Sequence, residues 1–278
     1  MKSNIPFSVL MSVYGKDSVA FFKEALLSVS YKQTVKPTQV VVVEDGPVPS
    51  EMEDVINEVI KMTPECEFTI IRKPVNAGLA AALNSGIAAC KYEWIARMDS
   101  DDISLDDRFE KQIKYVAEHP DVDCMGGSIA EFTEVPGDLQ SERHVGLDMA
   151  TIKKMAKTRT PMNHVSVFYK KSSVEKAGSY SENFGKLEDY KLWVDLISNN
   201  ATLGNIDDIL VYVRVGNGFI ERRSNTREII DWDMLQSYLL KSGLINRFDA
   251  IKNKCYIRAF IYMPGWLKKI LYQTVLRK

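Results

Sequence analysis

The sequence predicts an α/β protein built on a mainly parallel twisted sheet with helices on both faces, followed by a C-terminal helical extension. Two observations carry this. Short apolar runs alternate with helical patterns through the first half, which is the β-α-β-α order of a parallel sheet. One run, residues 39–43, is nearly all valine, as a strand buried on both faces requires.

The elements follow in order. Residues 7–13 read as a first strand and 18–32 as a helix. The valine strand comes next, then a helix over 51–62, a strand over 68–71 and a helix over 79–90. Trp94, Ile95, Ala96 and Met98 form a short buried strand, followed by a helix over 105–118 and a return to the sheet over 121–129. The strand ends at Tyr14, Glu44–Asp45 and Asp99 then fall along one edge. Residues 133–146 are loop-like. Beyond them the sequence predicts a helix over 149–157, a strand over 165–169, helices over 172–177 and 187–198, and apolar runs at 202–206 and 209–213. From residue 225 onward it reads mostly as helix.

At 278 residues, with 45% hydrophobic and 26% charged content, the chain has the composition of an ordinary globular protein. The net charge of −1 conceals an asymmetry. Residues 251–278 hold seven basic residues and no acidic one, so the remainder carries 29 basic against 37 acidic. That split points to a tail meeting an anionic surface, with no nucleic-acid partner. Four separated cysteines without a CxxC pair suggest a reducing compartment, with neither a disulfide framework nor a zinc site. The N-terminal apolar run is expected to be a strand rather than a signal peptide. No stretch is long and apolar enough to cross a bilayer. A cytoplasmic location is the expectation.

Asp99, Ser100, Asp101 and Asp102 place three carboxylates at a strand's C-terminal edge, where open α/β sheets hold their ligands. Such crowding calls for a cation or hydrogen-bond donors. Mn²⁺ or Mg²⁺ carrying substrate phosphates suits it, and an acidic turn capping the next helix is the alternative. Glu44, Asp45 and Gly46 suit either recognition of a nucleobase N–H or a simple turn. Asn76, Gly78 and the small residues after them suit a phosphate at a helix N-terminus, although alanine is also just a good helix former. Glu188 and Asp189 open a helix with Leu192, Trp193 and Leu196, and a carboxylate there suits a general base or a cap. The glycine-interrupted loop ending in Arg222 and Arg223 suits closure over a diphosphate or a solvated basic turn. His164, beside Pro161, reads as a substrate contact or a packed residue, not a metal ligand.

Taken together and in order, residues 8–14, Glu44–Asp45–Gly46, 76–79, 96–102 and Glu188–Asp189 resemble glycosyltransferase family 2, the inverting nucleotide-sugar enzymes of the GT-A fold. The resemblance spans about residues 5–215. Residues 212–218 with Arg222 and Arg223, and the tail around 264–269, resemble a subgroup that builds bacterial O-antigen and amylovoran-type exopolysaccharide. The resemblance implies that Asp45 meets the uracil ring, with Val13 and Tyr14 lining the base pocket. It implies that Asp99 and Asp101 hold the ribose and the Mn²⁺ or Mg²⁺, with Arg97, Ser100 and Asp102 near the donor sugar. Asp189 matches the catalytic base, and His164, Glu188, Trp193, Arg222 and Arg223 are candidates for acceptor or diphosphate contacts. Glu44 stands where the family more often has Asp. Val215 is followed by Gly216 where many relatives carry a histidine.

The implied activity is transfer of Glc or Gal from a UDP-sugar to a GlcNAc-type saccharide on undecaprenyl diphosphate, forming a β1,3 bond. Residues 1–223 would be the catalytic unit, with a nucleotide-sugar half (1–130) and an acceptor half (131–223). Residues 224–278 would be an amphipathic region contacting the anionic inner face of the cytoplasmic membrane, with a helical subdomain packed on its own core as the alternative. A sugar-phosphate nucleotidyltransferase or a non-catalytic scaffold are the rival readings. The first lacks its glycine-rich basic motif near residues 11–16, and the second would be expected to have lost Asp101 or Asp189.

Overall fold

A computed structural model describes residues 5–216, 227–265 and 267–268. Strands β1 (Phe7–Val13), β2 (Gln39–Glu44), β3 (Glu67–Arg72) and β4 (Trp94–Met98) alternate with helices α1 (Val19–Ser28), α2 (Ser50–Met62) and α3 (Leu79–Ala89). Then come β5 (Ile103–Ser104), α4 (Arg108–Glu118), β6 (Cys124–Phe132), β7 (Glu142–Arg143) and α5 (Met149–Met155). A 3₁₀ turn at His164–Ser166 leads to β8 (Phe168–Lys170), α6 (Lys171–Lys176), α7 (Glu188–Ser198) and β9 (Leu203–Arg214). Helices α8 (Arg227–Lys241) and α9 (Arg247–Tyr262) follow.

All nine strands form one sheet in the order β3-β2-β1-β4-β8-β6-β9-β5, with β7 on β6. The block β3-β2-β1-β4 is parallel throughout, as the alternation predicts. Beyond it the sheet is mixed, because β8 runs antiparallel between β4 and β6. Side chains of β1 and β2 alternate between two cores. Val9, Met11, Val40 and Val42 pack with α1, α2 and α4, while Leu10, Val41 and Val43 pack with α3, α5 and α7. Each such fully buried side chain contributes about 1.5–3 kcal/mol of transfer free energy. A third cluster joins Tyr190 and Val194 of α7 to Leu235 and Leu239 of α8 and Ala250 of α9.

Three boundaries differ from expectation for identifiable reasons. Helix α1 stops at Ser28 rather than near 32, since the buried Gln33 amide donates to the Ser28 carbonyl (2.6 Å) and to the Leu105 carbonyl (2.7 Å). Helix α4 starts at Arg108, because residues 103 and 104 pair with β9. The apolar runs at 202–206 and 209–213 are one strand, β9, whose register against β6 shifts around Ser128 and accommodates the exposed Asp207 and Asp208.

Candidate active site

Register brings the parallel strand ends together. Val13 pairs with Glu44, and Met11 with both Val42 and Met98, so Tyr14, Asp45 and Asp99 emerge along one edge. The Asp45 amide donates to the Val13 carbonyl (2.8 Å). Its buried carboxylate accepts from the backbone N–H groups of Ala77 and Gly78 (2.9 Å each), and Lys73 Nζ lies 3.3 Å away. The Asn76 amide donates to the Asp45 carbonyl (3.1 Å). Such charge-assisted bonds are the strong class and fix the loop that begins α3. Gly46 has φ +88°, and a Cβ there would sit 2.7 Å from the Asn76 nitrogen, so only glycine fits this approach. Glu44 is also buried; burial raises its pKa, and Arg72 Nε stands 3.3 Å from one oxygen.

The acid loop follows β4. Buried Arg97 grips Asp99 through both terminal nitrogens, Nη1 donating at 2.6 Å. Ser100 Oγ donates to Asp17 Oδ2 (2.7 Å), which also accepts from the Tyr14 amide (3.1 Å). Asp17 was not anticipated, yet it joins Asp99 and Asp101 in one cluster. Desolvation in the cleft, followed by the charges of Asp99 and Asp17, pushes Asp101 up to about 6. Asp102 faces inward instead. It is 3% exposed and accepts from the Arg214 amide (2.8 Å). This bond ties the acid loop to the end of β9. Arg214 completes that tie, with Nε donating to the Asp101 carbonyl (3.1 Å) and Nη2 to Glu24 (2.7 Å). Its guanidinium lies 3.8 Å from the Phe21 ring centroid.

Behind β4 sits Arg108, fully buried and without a carboxylate partner among the described residues. It donates to the carbonyls of Arg97 (2.9 Å) and Val167 (3.3 Å) and to Gln112 (3.1 Å). Burial, then repulsion from Arg97, pushes its pKa down to about 9. No motif or spacing in residues 105–118 marked Arg108 for burial.

The opposite wall is the start of α7. Burial, then Asp189, raises Glu188 to about 7, and the charges of Arg97 and Asp99 also reach it. The start of α7 and the acid loop after β4 thus stand near enough for Glu188 to feel the charge of Asp99. Asp189 Oδ1 accepts from the Tyr190 amide (2.6 Å). Between the walls, His164 Nε2 shares a 2.8 Å hydrogen bond with the Tyr180 hydroxyl. Burial and the nearby Arg97 hold its pKa well below the usual range, so the ring is neutral. The Asn84 side-chain amide of α3 fixes Tyr180, donating to its carbonyl (2.8 Å) and accepting from its backbone N–H (2.9 Å).

Val13 and Trp193 are 1% and 0% exposed, with their side chains packed in the cores. Val13 acts through its carbonyl, while Tyr14 is 41% exposed at the rim. Arg222 and Arg223 lie outside the described residues.

The donor set also bears on a metal. No group of three or more His, Cys, Asp or Glu among the described residues encloses an ion by itself. Asp99 and Asp101 instead offer two oxygen donors at an open, acid-crowded rim. Mg²⁺ or Mn²⁺ takes such a pair together with substrate phosphates, so the residues fit.

A parallel β-α-β half with carboxylates at its strand ends, joined to a mixed half bearing a second acid pair, defines a GT-A nucleotide-sugar transferase. Residues 8–178 match the family described as Glycosyl transferase family 2, and the chain belongs to it. The chain is 34% identical over 273 residues to the UDP-Gal:alpha-D-GlcNAc-diphosphoundecaprenol beta-1,3-galactosyltransferase of Escherichia coli, covering 98% of this chain and 97% of that one. It is 33% identical over 280 residues to the amylovoran biosynthesis glycosyltransferase AmsE of Erwinia amylovora, covering 96% and 98%. Among solved structures, S. aureus TarS 1–349 in complex with UDP-GlcNAc superposes with a TM-score of 0.67 at 16% identity, covering 98% of this chain and 76% of that one.

Proposed function

We propose that the protein is an inverting, metal-dependent hexosyltransferase. It takes Glc or Gal from a UDP-sugar and adds it to a GlcNAc-type sugar on undecaprenyl diphosphate, forming a β1,3 bond in surface-polysaccharide synthesis. The observation that carries this reading is the nearness of the acid loop after β4 to the acid pair opening α7, where Glu188 feels the charges of Asp99 and Arg97. The similarity to the E. coli galactosyltransferase over nearly the whole of both chains supports the donor and acceptor classes.

Asp45 and Tyr14 bound the base pocket, with the 76–78 backbone held ready beside it. Asp99 and Asp101 would hold the divalent ion, which supplies charge neutralisation for the departing diphosphate. Arg97 keeps Asp99 in one orientation. Asp189 takes the proton from the acceptor hydroxyl, whose oxygen attacks the anomeric carbon opposite the leaving UDP. Asp189 lies in the first turn of α7, where the helix dipole favours negative charge. Neutral His164 and Tyr180 form the floor between donor and acceptor sides. A lipid-linked acceptor places the work at the inner face of the cytoplasmic membrane.

Replacing Asp189 by Asn should abolish transfer while calorimetric UDP binding stays within twofold of the parent. Loss of both, or of neither, overturns the base assignment. Chelation of divalent ions should stop transfer, and added Mn²⁺ should restore it.

A further inference from the structure

Two stretches devoid of acid meet on the surface behind α7. Residues 149–164 carry Lys153, Lys154, Lys157 and Arg159 with no Asp or Glu, and 251–278 likewise contain no acid; among the described residues there, Lys252 and Lys254 form no ion pair, while Arg258 pairs with Asp233 of α8. The fold brings α5 and α9 together, where the Asn253 side-chain amide donates to the Lys157 carbonyl (2.7 Å). A groove of about 480 Å³ opens there, lined by Lys154, Lys157 and Lys252 with Met155 and Thr158. Its one acid, Asp249, is committed to capping α9, where it faces the Asn246 amide. Lys153, Lys154, Lys157 and Arg159 are exposed and form no ion pair among the described residues.

The flank of this groove is apolar. Helix α9 buries Ala250, Asn253 and Ile261 and turns Phe248, Ile251, Tyr256 and Tyr262 outward, each at least 63% exposed. Uncompensated cations beside protruding aromatic and aliphatic side chains match an anionic bilayer, whose phosphates attract lysines while its acyl boundary accepts rings. The corner is also coupled to the acceptor side of the cleft: the hydroxyl of Tyr190, adjacent to Asp189, donates to the Ala156 carbonyl just past α5 (2.9 Å).

We infer that the α5–α9 corner is the surface by which the protein docks on anionic phospholipid, with Lys154, Lys157 and Lys252 meeting headgroup phosphates and Phe248 and Ile251 entering the interface. The inference deepens the reading of a lipid-linked acceptor and rests on it for its biological sense, but its test needs no turnover.

Full-length protein is sedimented with phosphatidylcholine vesicles containing or lacking phosphatidylglycerol. Binding should require phosphatidylglycerol. Each basic residue at such a surface is worth about fivefold in partition, so Lys154→Gln with Lys157→Gln should weaken binding about 25-fold. Phe248→Ser with Ile251→Ser should also weaken it at unchanged melting temperature. Lys61→Gln with Lys114→Gln, on helices of the other sheet face, should leave it within twofold. Equal binding to neutral vesicles, indifference to the Lys154 and Lys157 changes in folded protein, or a dimer in solution that these changes dissociate would each overturn the proposal. Asp189→Asn should leave vesicle binding intact. A protein that binds vesicles as described yet transfers no sugar would therefore sink the transferase reading alone.

Discussion

Glu188 shows how one carboxyl couples stability to pH. Its pKa rises from 4.5 to about 7 on folding, mainly through burial. Between those values the folded protein keeps a proton that the unfolded chain releases, so stability declines as pH rises through this window. Glu188→Gln should therefore melt close to the parent at pH 5 and several degrees higher at pH 8, a gain of about 3 kcal/mol by linkage. Equal melting temperatures at both values would refute the assignment. At Gly46 the backbone lies at φ +88° against Asn76, and Gly46→Ala should cost about 1–3 kcal/mol in denaturant unfolding and weaken UDP binding. The acid cluster was legible because three carboxylates in four residues demand an explanation. Asp17 was not, because a single acid beyond a strand end has no such signature. Val13 shares strand parity with Val9 and Met11, and that parity marks its side chain as core.

Strands and helices fix where these groups stand. The parallel block was readable from alternation alone, and the valine run is buried at every position. The mixed half was harder, since β8 has three residues and β5 and β7 have two each, too short for any period to show. Strand β9 ends in Arg214, which binds the acid loop, α1 and the ring of Phe21 at once. Arg214→Ala should cost about 1–3 kcal/mol in stability and raise the KM for the UDP-sugar more than it lowers kcat, because the loop is freed rather than removed. The burial of Trp193 was hard to read because α7 is covered on both sides, by the sheet and by α8, and one helix's own pattern does not reveal a second cover.

For the whole molecule, α8 and α9 are joined to the catalytic unit by a shared core. Leu239 of α8 packs with Tyr190 and Val194, so Leu239→Ala should destabilise by about 2–5 kcal/mol in chemical unfolding and lower transfer through displacement of α7. A change in stability with full activity would show that α7 holds its place without that support. The placement of β8 has a consequence for biosynthesis. The four parallel strands are complete once residue 98 has left the ribosome, but the outer side of β4 is paired only by residues 168–170. For some seventy residues of translation β4 is an unprotected strand edge, the feature through which nascent chains aggregate. Arg97, the residue that grips Asp99, projects from that same strand, so the donor-side cleft reaches its final form only after much of the acceptor side has been made.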